Sequence, residues 1–230
     1  QRFLFDTLHL PHLMATPRGL GGVVLNWHVD ANSDWPYLED MADRGLLRAV
    51  ATDGHRLALC DMEVDIDTAN PRQVIVPRKG IQELQRLLED SEQPVGVEIG
   101  SNHIRVRSDD VCFTSKLVDG RFPDYERVLP KGGDKHVRAN RELFRQALSR
   151  TSILSNEKYR GIRLNLEQNN IRIQAHNPEQ EEADEEFEVD YQGAGLEIGF
   201  NVTYLLDVLG TVRSDEVELT LSDSNSSCLI

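Results

Sequence analysis

Between residues 74 and 90 the chain reads VIVPRKGIQELQRLLED, and the spacing of its apolar positions changes partway along. Val74, Ile75 and Val76 form a short apolar run suited to a buried strand; Ile81, Leu84, Leu87 and Leu88 then recur at helical intervals. Three runs of strand character follow: VGVEIG (95–100), HIRVRS (103–108) and VCFTSKL (111–117). The links between them, SN and DD, are short enough for hairpin turns. The order is strand, helix, strand, strand, strand.

That order returns. HVRANRELFRQALSRTSIL (136–154) predicts a strand and then a helix capped by Asn140, with Leu143, Phe144, Ala147, Leu148 and Leu154 on its apolar side. GIRLNLE, IRIQAH and FEVDY supply three strands after it. LEIGFNVTYLLDVLG (196–210) opens another copy, with Asn201 as cap and Gly210 as stop, and VELTLS and SSCLI follow as strands. The first copy reads RFLFDTLHLPHLM, GVVLNWHV, LLRAVAT and HRLALC, its helix interrupted by Pro11. Starts near residues 2, 74, 136 and 196 give a period of roughly 60 to 70, too long for a common solenoid. Two copies can pair their sheets and lay both helices on one side, which makes an α+β domain. The polar, Gly-rich PKGGDK (130–135) marks the expected boundary, dividing the chain into domains 1–130 and 131–230.

A length of 230 residues suits two domains, each with its own core. The net charge of −14 argues against nucleic acid as a partner, but the charge is uneven. EQEEADEEFEVD (179–190) holds eight acidic residues in twelve and no basic one, whereas the second and third helices carry Arg78, Lys79, Arg86, Arg141 and Arg145 on their polar sides. No run reaches the ~18 apolar residues of a membrane span, and the start reads as no signal peptide. Cys60, Cys112 and Cys228 lack metal-ligand spacing, so they are expected to be buried free thiols in a reducing cytoplasm, with no metal site and no cofactor.

The stretch ATDGHRLALC (51–60) sets an acid, Asp53, beside a base, His55. Catalysis would need a nucleophile held against the histidine, and no GxSxG, HExxH or phosphate-cradling glycine loop accompanies the pair. An acidic hydrolase is therefore the weakest reading. A tight turn with Gly54 at positive φ is the plain one.

ATDGHRLAL, VIVPRKGIQEL, FTSKLVDGRFPDYERVLP, ILSNEKYRGIRL, NPEQEEA and IGFNVTYLLDVL together resemble the bacterial DNA polymerase III β subunit, the replication sliding clamp, from about Leu46 onward. The resemblance implies the DNA-clamp fold of repeated β-α-β-β-β units, with helices on the concave side. That family forms head-to-tail dimeric rings of three-domain subunits around duplex DNA. This chain looks like the second and third domains, without the last strand of the third and with a divergent first 45 residues.

By position, the family's peptide-binding groove falls on Thr52, Gly54, His55, Arg56, Leu57, Pro123, Arg127, Val128, Tyr159, Asn201, Tyr204 and Ser227, at the junction of the two domains. Arg78, Lys79, Arg86, Arg141, Arg145 and Lys158 would face DNA. Ile153, Leu154, Glu179, Glu181 and Glu182 would meet a neighbouring subunit. The implied function is a non-enzymatic processivity factor that tethers DNA polymerase and clamp-loader subunits through short hydrophobic peptides. DNA binding by this partial chain should be weak and salt-sensitive, with a ring expected only of the full-length family member. The alternative is a truncated clamp that binds partner peptides as a decoy without encircling DNA.

Overall fold

The computed structural model describes residues 2–5, 22–28, 45–64, 72–88, 95–108 and 111–230. The chain divides into two units, Gln1–Pro123 and Asp124–Ile230. The first holds β1 (Arg2–Phe5), β2 (Gly22–His28), β3 (Gly45–Thr52), β4 (Leu57–Val64), β5 (Arg72–Pro77), α1 (Arg78–Leu88), β6 (Val95–Ile99), β7 (His103–Ser108) and β8 (Val111–Lys116). The second holds β9 (Lys135–Asn140), α2 (Arg141–Thr151), β10 (Gly161–Glu167), β11 (Asn170–His176), β12 (Glu182–Glu188), β13 (Leu196–Asn201), α3 (Val202–Thr211) and β14 (Glu216–Leu221). Short 3-10 turns lie at Tyr125–Arg127 and Ser152–Leu154.

The repeat is present, and its copies exchange strands. In the first unit the sheet orders are β1-β6-β7-β8 and β4-β3-β2-β5. The leading strand of each copy therefore joins the three trailing strands of the other, antiparallel in every described pairing. The second unit does the same: β13 joins β10, and β9 pairs with β14. Neither copy completes a sheet alone, so the stable module is the pair. The pairing of copies expected from the repeat is thus made by strand exchange.

Period-2 burial builds each core. Val95, Val97 and Ile99 of β6 and Ile104 and Val106 of β7 point inward against Ile81, Leu84 and Leu88 of α1. Leu87 falls outside that stripe and is exposed. In the second unit Phe144, Ala147 and Leu148 of α2 and Val202, Leu205 and Leu209 of α3 cover Ile162, Leu164, Ile171, Ile173 and Ile198. Leu143 is exposed rather than on the apolar side of α2, and Leu154 is half-buried.

Both predicted helix caps form. Asn140 Oδ1 accepts from the Leu143 N–H at 3.0 Å, and Asn201 Oδ1 accepts from the Thr203 N–H at 2.9 Å. Gly210 does not stop α3; the helix runs to Thr211 and ends where Val212 turns extended. SSCLI makes one antiparallel bridge, Thr220 to Leu229, instead of a strand. The third strand after α2 starts at Glu182, five residues ahead of FEVDY. Its alternation is real, with Ala183, Glu185 and Phe187 turned partly inward, but glutamates on both faces conceal it in the sequence.

PKGGDK lies inside the second unit and packs there. Gly132 has φ +80°, and a Cβ on Gly133 would sit 3.0 Å from the Leu221 carbonyl oxygen. Lys135 Nζ donates to the Ser222 carbonyl at 2.7 Å. The thiols also depart from expectation: Cys112 is exposed, because β8 is an edge strand and Cys112 points away from the core, while Cys60 and Cys228 are half-buried. Burial pushes the Cys228 thiol up to about 12. The helix expected around Pro11 lies outside the described residues. Among the described residues, no helix is long and apolar enough to cross a membrane.

Candidate functional site

The turn that joins β3 to β4 is built by its own side chains. Gly54, at φ +84°, donates its N–H to Thr52 Oγ1 at 3.1 Å, and the Thr52 hydroxyl donates to the Arg56 carbonyl at 2.7 Å. Asp53 Oδ1 accepts from the N–H groups of His55 and Arg56, both at 3.0 Å, and Oδ2 accepts from Arg56 Nε at 3.1 Å. The Asp53 side chain is 6% exposed. Burial alone would raise its pKa, but the bonds from His55 and Arg56 outweigh this and hold it below the usual carboxylate range. Asp53 thus braces the turn through the backbone N–H groups of His55 and Arg56. Leu57 opens β4 opposite Thr52 and is half-buried, while Gly54 and His55 are exposed. Pro123 is exposed at the end of this unit.

In the second unit Tyr159, Asn201 and Tyr204 lie at the start of α3 and the loop bonded to it. Asn156 Oδ1 accepts from the N–H groups of Lys158 at 3.0 Å and Tyr159 at 2.9 Å, closing the loop after α2. Arg160, at φ 52°, turns the chain into β10, and its side chain donates to the Ser152 carbonyl at 3.2 Å. Asn201 caps α3 through Oδ1 while its Nδ2 donates to the Tyr159 carbonyl at 3.2 Å. One amide therefore ties the Tyr159 loop to the helix that carries Tyr204, three residues beyond the cap. The Tyr159 ring is 66% exposed, with Lys158 Nζ 5.1 Å from its centre. Val128 is also exposed, and Arg127 pairs with Asp124 at 2.7 Å. Ser227 is exposed in the segment between β14 and the terminal bridge.

The basic positions differ in how they are held. Lys79 is exposed, Arg86 reaches Glu83 at 3.3 Å from a largely exposed side chain, and Arg78 Nε is buried without a hydrogen bond. Arg141 is anchored within its own unit: Nη1 donates to the Leu209 carbonyl in the last turn of α3 at 3.2 Å, and Nε donates to Ser214 at 2.8 Å. Arg145 forms a two-bond pair with Glu142 at 2.9 and 2.7 Å. Bonds from Arg145, then Gln146, lower the Glu142 carboxyl to about 2.

Ile153 stands 75% exposed in the turn after α2. β12 is the edge strand of its sheet, with Glu179, Glu181 and Glu182 exposed where it begins. Sequence reasoning missed that the acidic strand is partly neutralised from within. Arg150 pairs with Glu185 at 2.6 Å, and Arg172 pairs with Asp184. Packing of α2 on the sheet brings Arg150 to Glu185, and the β11–β12 register sets Arg172 diagonal to Asp184; neither is visible in the linear sequence.

Family models for the DNA polymerase III beta subunit match the chain twice: the central domain over residues 37–124 and the C-terminal domain over residues 126–230. The Beta sliding clamp of Pseudomonas putida is 62% identical over 197 residues, which are 84% of this chain and 54% of that protein. That of Escherichia coli K12 is 55% identical over 184 residues, 80% of this chain and 50% of its own length. The crystal structure of the DNA polymerase III subunit beta from Pseudomonas aeruginosa superposes with a TM-score of 0.88 at 50% identity, covering 99% of this chain and 61% of that one. The fold is therefore the α+β clamp fold of replication proteins. The chain belongs to the DNA polymerase III beta subunit family, and it spans about half the length of the curated relatives it matches.

Proposed function

We propose that this chain is the peptide-receiving and DNA-facing part of a replication sliding clamp, acting by binding alone. The observation that carries this reading is the Asn201 amide, which fixes Tyr159 and the first turn of α3 together and presents an aromatic surface to solvent. The turn from Thr52 to Leu57 offers an equally ordered surface in the other unit. Partners are proposed to be DNA polymerase and clamp-loader subunits that insert short hydrophobic peptides. Each apolar anchor contributes roughly 1.5–3 kcal/mol, so two or three anchors, less the cost of ordering, give micromolar affinity. Such affinity lets partners exchange. With Asp53 locked into the turn, no bond-making step is proposed.

For DNA, Arg78, Lys79, Arg86 and Lys158 carry the contact we propose, and Arg145 adds less because Glu142 balances it. Contacts to phosphates carry no sequence information, which suits sliding. The exposed Ile153 and the β12 edge are proposed to meet a neighbouring subunit of a full-length clamp, and the setting is the bacterial cytoplasm.

Titration of the chain with a fluorescent hydrophobic peptide of the kind carried by clamp partners tests this reading. Leu57→Ala and Tyr204→Ala are each expected to weaken binding about ten- to a hundred-fold. Affinity in both variants unchanged from that of the unsubstituted chain would overturn it.

A further inference from the structure

The sequence contains two Asp–Gly pairs, Asp53–Gly54 and Asp119–Gly120, and the structure treats them oppositely. An aspartate followed by glycine can rearrange. The glycine nitrogen gives up its proton and attacks the aspartate Cγ, one carboxyl oxygen leaves as water, and a five-membered succinimide forms. Water then reopens the ring at either carbonyl, returning aspartate or giving isoaspartate, whose main chain runs through the β-carbon. One water leaves and one returns, so mass is unchanged and no oxidant or other reactant is needed. Glycine permits the attack because it has no side chain to obstruct it. Hydrogen bonds that hold the attacking N–H or the carboxylate prevent it.

At the first pair every reacting group is held. The Gly54 N–H is bound to Thr52 Oγ1 at 3.1 Å. Both Asp53 oxygens accept bonds, from the His55 and Arg56 N–H groups at 3.0 Å and from Arg56 Nε at 3.1 Å. At the second pair none is. Just before it the Val118 N–H is bound to the Ile75 carbonyl at 2.9 Å. Beyond it Asp119 and Gly120 are both exposed, belong to no helix or strand, and make no hydrogen bond among the described residues. Gly120 has φ +145°, and a Cβ placed there would meet nothing within 4 Å.

We infer that Asp119 is a site of spontaneous isoaspartate formation, while the fold protects Asp53 from the same reaction. Conversion adds a methylene to the main chain at Asp119, four residues before Pro123, in the segment that leads out of β8. It also leaves a carboxylate directly on the backbone. The inference is independent of the peptide-binding reading.

Trypsin makes the comparison direct, because cleavage after Arg48, Arg56, Lys116 and Arg121 releases AVATDGHR (49–56) and LVDGR (117–121) from the same sample. The intact folded chain is aged at neutral pH and physiological temperature, digested under mildly acidic conditions, and separated by liquid chromatography. Isomers of equal mass are assigned by electron-transfer fragmentation. The expected result is a second LVDGR peak that grows with time while AVATDGHR remains single. Ageing in urea should produce isomers of both peptides, and Asp119→Glu should remove the isomer at its position. Growth confined to AVATDGHR, equal growth in both peptides from the folded chain, or an LVDGR isomer seen only in urea would overturn the inference.

Discussion

Asp53 shows how one side chain can look catalytic and be architectural. Its carboxylate closes the turn between β3 and β4 with three hydrogen bonds, one of them from the His55 backbone N–H. Asp53→Ala is expected to cost about 1–3 kcal/mol by leaving turn N–H groups unpaired, measured by urea denaturation. Because the folded carboxyl lies below its unfolded value of 3.8, the contribution is complete above that pH. It is lost as pH falls through the lower, folded value. Glu142 gives a second readout. Carbon-13 titration should find its carboxyl near 2, and Arg145→Ala should return it toward 4.5. Its stabilising effect is therefore present above pH 4.5 and lost as pH falls toward 2. An unchanged titration in Arg145→Ala would contradict the pairing.

At the scale of elements, caps and close approaches decide more than propensity. Asn140→Ala removes the acceptor for Leu143 and should destabilise the second unit by about 1 kcal/mol. Gly133→Ala should cost about 1–3 kcal/mol, since the added methyl meets Thr220 and the backbone of β14. A thermal midpoint unchanged by Gly133→Ala would refute that packing. These elements also mark what the sequence could reveal. The switch from helical to alternating spacing located α1, α2 and α3 and most strands, and the asparagines before two helices located their caps. Gly133 read as linker because a close backbone approach leaves no mark on composition. The start of β12 stays hidden ahead of FEVDY because its acidic residues are offset by Arg150 and Arg172 from other elements. The bonds from Arg141 to the Leu209 and Ser214 carbonyls are not legible, because those partners lie about seventy positions away in sequence.

At the scale of the molecule, four copies of one unit yield two cores because each copy lends its leading strand to the other. The exchange makes each pair of copies a single module with one core. Charge is unevenly placed, with acid concentrated along β12 while Lys79, Arg86 and Lys158 stand elsewhere. Binding to duplex DNA is expected to be weak and to fall steeply with salt; four phosphate contacts would give a slope of roughly −3.6 in log K against log salt. Fluorescence anisotropy across a salt series measures this, and tight binding at physiological salt would refute it.

The most direct test of peptide docking is a proton–nitrogen correlation spectrum of the labelled chain, recorded while an unlabelled hydrophobic clamp-partner peptide is added. Shifts should concentrate at Thr52–Leu57 in the first unit and at Tyr159, Asn201 and Tyr204 in the second. Shifts confined to the β12 edge, or a spectrum unchanged at saturating peptide, would contradict it.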